Sequence, residues 1–106
     1  MKLLEQLFSK GLEIKDEESG MYFLLKKQPT QVEYNNMSII AAKDLDTFID
    51  NPVHQHSVVS IVENIEKFEF EGEDVDLELD GFVTQRYAVI RLFIALKSEL
   101  KELKKK

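Results

Sequence analysis

Phe68-Glu69-Phe70-Glu71-Gly72-Glu73-Asp74-Val75-Asp76-Leu77-Glu78-Leu79-Asp80 is the stretch on which the reading of this chain turns. Apolar and acidic residues alternate in it with a period of two, the mark of a half-buried β-strand. Gly72 interrupts the run inside a short acidic loop, so the stretch predicts two strands folded as a hairpin. One face carries Phe68, Phe70, Val75, Leu77 and Leu79. The other carries Glu69, Glu71, Asp74, Asp76, Glu78 and Asp80, with Glu73 at the tip.

The acidity is local. Between Glu63 and Asp80 stand nine acids and one base, Lys67, a charge of −8 against −6 for the whole chain. Same-face residues on a strand repeat about every 6.6–6.8 Å, so two adjacent acidic strands carry roughly one charge per 3.4 Å. A single nucleic-acid strand carries one per about 3.4 Å and duplex DNA one per about 1.7 Å, which makes the hairpin a candidate mimic of DNA. Like charges facing each other across strands cost stability. Two uses would offset that cost: attraction of a basic partner, or protection of a sheet edge against pairing with other chains.

Outward from the hairpin, Phe82 to about Leu103 contains neither Gly nor Pro and predicts a helix of about 20 residues, roughly 30 Å long. Lysines near its end complement the helix dipole. Tyr87 to Leu96 is apolar all round except for Arg91. A helix of that kind is normally buried on all sides, either within the chain or by a second copy through Val89, Leu92, Phe93 and Leu96.

Towards the N-terminus, Leu3, Leu4, Leu7 and Phe8 recur at helical spacing, so Lys2 to Lys10 predicts a short helix stopped by Gly11. Leu12 and Ile14 begin an alternation, Ser19-Gly20 marks a turn, and Met21 to Lys27 reads as a strand. Pro29 belongs in a turn. Val32 and Tyr34 alternate with polar residues, Asn35-Asn36 suits a tight turn, and Met37, Ile39 and Ile40 resume an apolar segment, so a meander of three or four strands is expected. Asp44 is a good N-cap for a short helix carrying Leu45, Phe48 and Ile49, ended by Asn51-Pro52. Residues 57–67 are ambiguous: Val58, Val59, Ile61, Val62 and Ile65 lie at helical spacing, yet β-branched residues suit a strand. Helix is favoured on periodicity.

The expected architecture is a single α+β domain over residues 1–106. An antiparallel sheet, made of the acidic hairpin and the N-terminal meander, packs with a short N-terminal helix, one or two short middle helices and a long C-terminal helix. The chain has 106 residues, 43% of them hydrophobic and 32% charged, which argues against general disorder. It contains no cysteine, so disulfides, thiolate metal sites and cysteine nucleophiles are excluded. The N-terminal residues lack the apolar run of a signal peptide, and a cytoplasmic protein is expected.

Catalytic signatures are sparse. The four glycines, Gly11, Gly20, Gly72 and Gly81, are isolated, so no phosphate-binding loop is formed. Asp76-x-Glu78-x-Asp80-Gly81 starts like a calcium loop, but its twelfth position is Tyr87 rather than a bidentate acid. His54 and His56 would share one side of a strand and could hold a metal, but no cysteine completes the set and Asp50 lies across a turn.

The order of helix, strands, helix, strands and long helix, with small size and acidity, is similar to the general plan of bacterial type III secretion chaperones. It is also similar to small phage-encoded inhibitors and bacterial immunity proteins. The resemblance implies a bacterial or phage binding protein and carries no site residues with it. The leading expectation is therefore a non-enzymatic acidic protein, an inhibitor or adaptor. It would dock Glu69, Glu71, Glu73, Asp74, Asp76, Glu78 and Asp80 on a basic protein, itself a nucleic-acid binder in one version. No cofactor is expected, and no direct contact with nucleic acid or membrane. The alternatives are a homodimeric chaperone-like or assembly protein working through Val89, Leu92, Phe93 and Leu96, and a metal-dependent activity at His54 and His56.

Overall fold

The structure, a computed structural model, describes residues 12–79 and 81–104. The helix expected over Lys2–Lys10 lies outside the described residues, and so does Asp80. A four-stranded antiparallel sheet of order β1-β2-β3-β4 is formed by β1 (Leu12–Asp16), β2 (Met21–Leu25), β3 (Ile65–Phe70) and β4 (Glu73–Asp74). Among the described residues four helices accompany it: α1 (Gln31–Ala42), α2 (Leu45–Ile49), α3 (Pro52–Glu63) and α4 (Phe82–Lys104). A 3₁₀ turn at Leu77–Leu79 joins β4 to α4. The α+β class and the long C-terminal helix agree with the sequence.

The register explains the core. Ile14, Phe23 and Phe68 stand in one row across β1, β2 and β3, and all three are buried. The Phe23 and Phe68 rings lie 5.2 Å apart, a spacing at which aromatic pairs attract. Leu25 belongs to the next row on the same face. Against these rows α4 lays Ala88, Val89, Leu92, Ala95 and Leu96, all buried. Their spacing of one, four, seven and eight from Ala88 is a helical stripe. Helices α1 and α3 pack against α4, bringing in Met37, Ile40, Val58, Ile61 and Val62. Each such side chain, fully buried, contributes about 1.5–3 kcal/mol against exposure.

The expected meander ends at β2. Residues 31–42, expected to supply strands from Val32 and Tyr34 and from Met37, Ile39 and Ile40, are helical throughout. The cause is a capping box: Thr30 Oγ1 accepts from the Glu33 N–H at 3.1 Å, and Glu33 Oε1 accepts from the Thr30 N–H at 3.0 Å. Two of the otherwise orphaned amides at a helix start are thereby satisfied. Once the helix is nucleated, Tyr34, Met37 and Ile40 line up one turn apart. Tyr34 meets the Phe93 ring at 5.2 Å. Asn35 and Asn36 sit inside this helix rather than in a turn.

Asp44 caps α2 as its sequence position predicts, its Oδ1 accepting from the Thr47 N–H at 2.8 Å. Asn51 then caps α3, with Pro52 in its first turn. The ambiguous stretch divides: helix through Glu63, strand from Ile65. Asn64 makes the joint. Its carbonyl accepts from the Lys26 N–H at 2.8 Å, and its Nδ2 donates to the Lys27 carbonyl at 3.0 Å. One residue therefore ends α3 and fastens the start of β3 to the end of β2.

Candidate binding groove

The acidic hairpin exists only at its turn end. Glu71 and Gly72, at φ of 52° and 87°, form its two-residue loop, in the left-handed region that suits glycine. Only Glu69 with Asp74 and Phe70 with Glu73 pair across β3 and β4. Glu73 therefore stands opposite Phe70 in β4, not at the tip. The Val75 N–H makes one further bond, to the Phe68 carbonyl at 2.9 Å.

Beyond Val75 the expected second strand becomes the 3₁₀ turn. Asp76 Oδ1 accepts from the Glu78 N–H at 3.0 Å, the local bond by which Asp competes with extended structure. From α4, Gln85 Nε2 donates to the Leu77 carbonyl at 2.7 Å. Leu77 is buried at 4% exposure, whereas Leu79 is exposed at 84%. The two leucines that alternation placed on one face thus part company. Of the five residues assigned to the apolar face, Phe68 and Leu77 are buried, Val75 is half-buried, and Phe70 and Leu79 are exposed.

The wholly anionic face is corrected too. Pairing sets Lys15, Tyr22, Glu69 and Asp74 in one outer row, and Glu13, Leu24 and Lys67 in the next. The Lys67 ammonium lies 3.3 Å from Glu69 and 3.8 Å from Asp74. Its bond to Glu69 and the charge of Asp74 hold the ammonium pKa above the usual lysine value. Burial, together with Glu13 and Glu69, pushes the Tyr22 phenol up. The outer face is thus a mixed lattice. The density of a single nucleic-acid strand is not reached, because β4 is two residues long.

What the acidic stretch does build is an open groove of about 750 Å³ between β3 and the Asp74–Glu78 segment. It exists because the chain leaves the sheet after Val75, while β3 continues back to Ile65. Phe68, Val62 and Leu77 give it an apolar base. Glu66, Asp74, Asp76 and Glu78 bring carboxylates, against the two lysines Lys26 and Lys67. A second cavity of about 420 Å³ lies between α3 and the start of α4, with Val59, Phe82, Glu63 and Gln85 in its wall. Val62 and Glu78 line both, so the two cavities form one continuous surface. Glu63 and Glu66 belong to this surface although alternation did not select them. Their place in the acidic charge count was the available signal.

The remaining candidate residues fall elsewhere. His54 and His56 lie within α3, where a spacing of two turns them about 200° apart around the helix, not onto one side of a strand. Among the described residues no group of three or more His, Asp or Glu side chains is arranged to hold a metal ion. Val89 and Leu92 are fully enclosed by the chain itself, Leu96 nearly so, and Phe93 is half-buried against Tyr34. A seam through these four would require the core to open. Among the described residues no helix is long and apolar enough to cross a membrane.

Compared with protein-family models, curated proteins and solved structures, the chain matches none.

Proposed function

We propose that this chain is a non-enzymatic binding protein that holds a basic polypeptide in the open groove between β3 and the Asp74–Glu78 segment. The observation that carries the reading is the groove's composition: an apolar base beneath four carboxylates and two lysines, one of which, Lys67, is already engaged by Glu69 and Asp74. Complementary charge speeds encounter and sets orientation, and the apolar base supplies area that a basic segment can cover. The reading keeps the sequence's expectation of a basic partner but moves the surface from a strand face to a groove rim. Asp74, Asp76 and Glu78 remain in it, Glu66 joins, and Glu71 and Glu73 stand at the hairpin end.

The test is titration with lysine-rich peptides and acidic counterparts over a range of salt. The protein is compared with a groove variant (Glu66→Gln, Asp76→Asn, Glu78→Gln) and a control variant of equal charge change elsewhere (Glu17→Gln, Asp46→Asn, Asp50→Asn). Basic peptides should bind, more weakly as salt rises past about 0.1 M, and the groove variant alone should lose most of that binding. Equal loss in both variants would show a diffuse charge effect and sink the reading.

A further inference from the structure

We infer that the partner segment is amphipathic, with a bulky apolar residue that seats in the cavity between α3 and α4 while flanking Lys or Arg side chains meet Glu63 and Glu78. This rests on the proposed function and adds to it the source of the affinity.

The cavity is apolar where a polar binding surface would not need it to be. Val59 from α3 and Phe82 from α4 both line it, and both remain partly open to solvent, at 37% and 42% exposure. Large apolar side chains exposed together mark interaction surfaces more often than isolated ones do. The neighbouring Leu79 and Val83 are more exposed still, at 84% and 54%. Leu79 ends the 3₁₀ turn that carries Glu78, and Phe82 and Val83 begin α4.

Charge complementarity identifies the occupant. The ionisable groups in the wall of this cavity are Glu63 and Glu78, both carboxylates, and Glu78 also belongs to the acidic groove next door. An apolar residue between two cations therefore matches the cavity and its rim at once. A purely basic segment would leave Val59 and Phe82 wet. A purely apolar one would bury the two carboxylates without a partner, which is costly. Filling the cavity with one leucine-sized side chain corresponds to about tenfold or more in affinity, since burying such a side chain is worth about 1.5–3 kcal/mol.

The inference is tested with two fluorescein-labelled peptides of lysine and glycine, identical except for a central leucine in one and glycine in the other. The leucine peptide should bind about tenfold tighter or more, and its advantage should persist at about 0.5 M salt, where charge attraction is largely screened. Val59→Ser and Phe82→Ser should erase the advantage and leave the glycine peptide unchanged. Both positions are partly exposed, so the variants should fold, and circular dichroism checks this. Equal binding of both peptides would overturn the inference and leave the proposed function standing. Failure of both to bind would overturn both readings. Self-association of the chain, abolished by Phe82→Ser in sedimentation, would assign the cavity to a second copy and overturn the partner named here.

Discussion

Arg91 grips Asp16 with both arms of its guanidinium: Nε lies 2.6 Å from Oδ2 and Nη2 lies 3.1 Å from Oδ1. The two residues are 75 positions apart in the chain. Both are largely shielded from water, with side-chain exposures of 14% and 8%. Asp16 stands on the inner face of the sheet in the row of Met21 and Phe70, and Arg91 reaches it from α4. Ser19 Oγ adds a bond to Asp16 Oδ2 at 2.6 Å, and Arg91 Nη2 also meets Glu18 Oε2 at 3.1 Å. The one polar residue in the apolar centre of the long helix is thus its fastening to the β1–β2 turn.

Breaking that pair should cost more than removing it whole. Arg91→Met leaves a shielded carboxylate without its main partner and should destabilise the fold by about 3 kcal/mol, in the range found for broken buried pairs. Asp16→Asn should cost less, because Glu18 still faces the guanidinium. The double variant Asp16→Asn/Arg91→Met should recover part of the loss. Urea unfolding of all the variants in a double-mutant cycle measures the coupling. Additive losses would mean that the fork contributes nothing as a pair.

The same contact sets an acid limb. The hydrogen bonds from Arg91 hold the Asp16 carboxyl below the usual carboxylate pKa, although burial opposes them. The folded-state value is therefore lower than the unfolded one, near 3.9. The stabilisation is complete above the unfolded value and is lost as pH falls through the folded one. Thermal stability should therefore fall below about pH 4, and Asp16→Asn should flatten part of that fall. Asp44, whose carboxyl is lowered chiefly by the Thr47 backbone amide, titrates in the same direction and accounts for a remainder. An acid limb identical in wild type and Asp16→Asn would contradict this assignment.

How legible the chain was depended on how local the deciding interaction is. Asp44 capping a helix and the Gly-free run from Phe82 are local, and both were readable. Thr30-x-x-Glu33 was equally local and just as readable. The alternation of Val32 and Tyr34 masked it, although Tyr34, Met37 and Ile40 already stood at helical spacing. The hairpin misled for a different reason. Its period of two was real as far as Asp74. Beyond that residue the path of the chain is decided by Leu77 entering the core and by Gln85 reaching back from α4 to its carbonyl. Neither event leaves a trace in the alternation. Arg91 was legible as an oddity, but its partner was not, because no spacing rule links it to Asp16. The groove was illegible for the same reason, since it is the space left where two segments diverge.

The capping box gives a clean local test. Thr30→Ala removes the acceptor for the Glu33 amide and should cost about 1 kcal/mol, the usual value for an N-cap threonine. Thr30→Asp should restore most of it, because Asp caps as well and favours the positive end of the helix dipole. Chemical denaturation measures both. If Thr30→Ala proves neutral, packing of Met37 and Ile40 alone holds α1, and the cap is not what decides helix over strand there.

The bond from Gln85 to the Leu77 carbonyl ties stability to the binding surface. It anchors the 3₁₀ turn whose far side carries Glu78, and Glu78 lines both cavities. Gln85→Ala should leave that carbonyl without its side-chain donor, at a cost of about 1–3 kcal/mol. The turn would lose its anchor to α4 before the sheet loses anything, because β2 and β3 pair independently of it. Amide exchange should therefore quicken over residues 75–79 while β2 and β3 stay protected. The binding of basic peptides should weaken even where the variant is fully folded, since Glu78 and the wall formed by Leu77 no longer hold one position. Uniformly faster exchange across the sheet would show instead that Gln85 supports the whole core, and that the turn has no separate stability to lose.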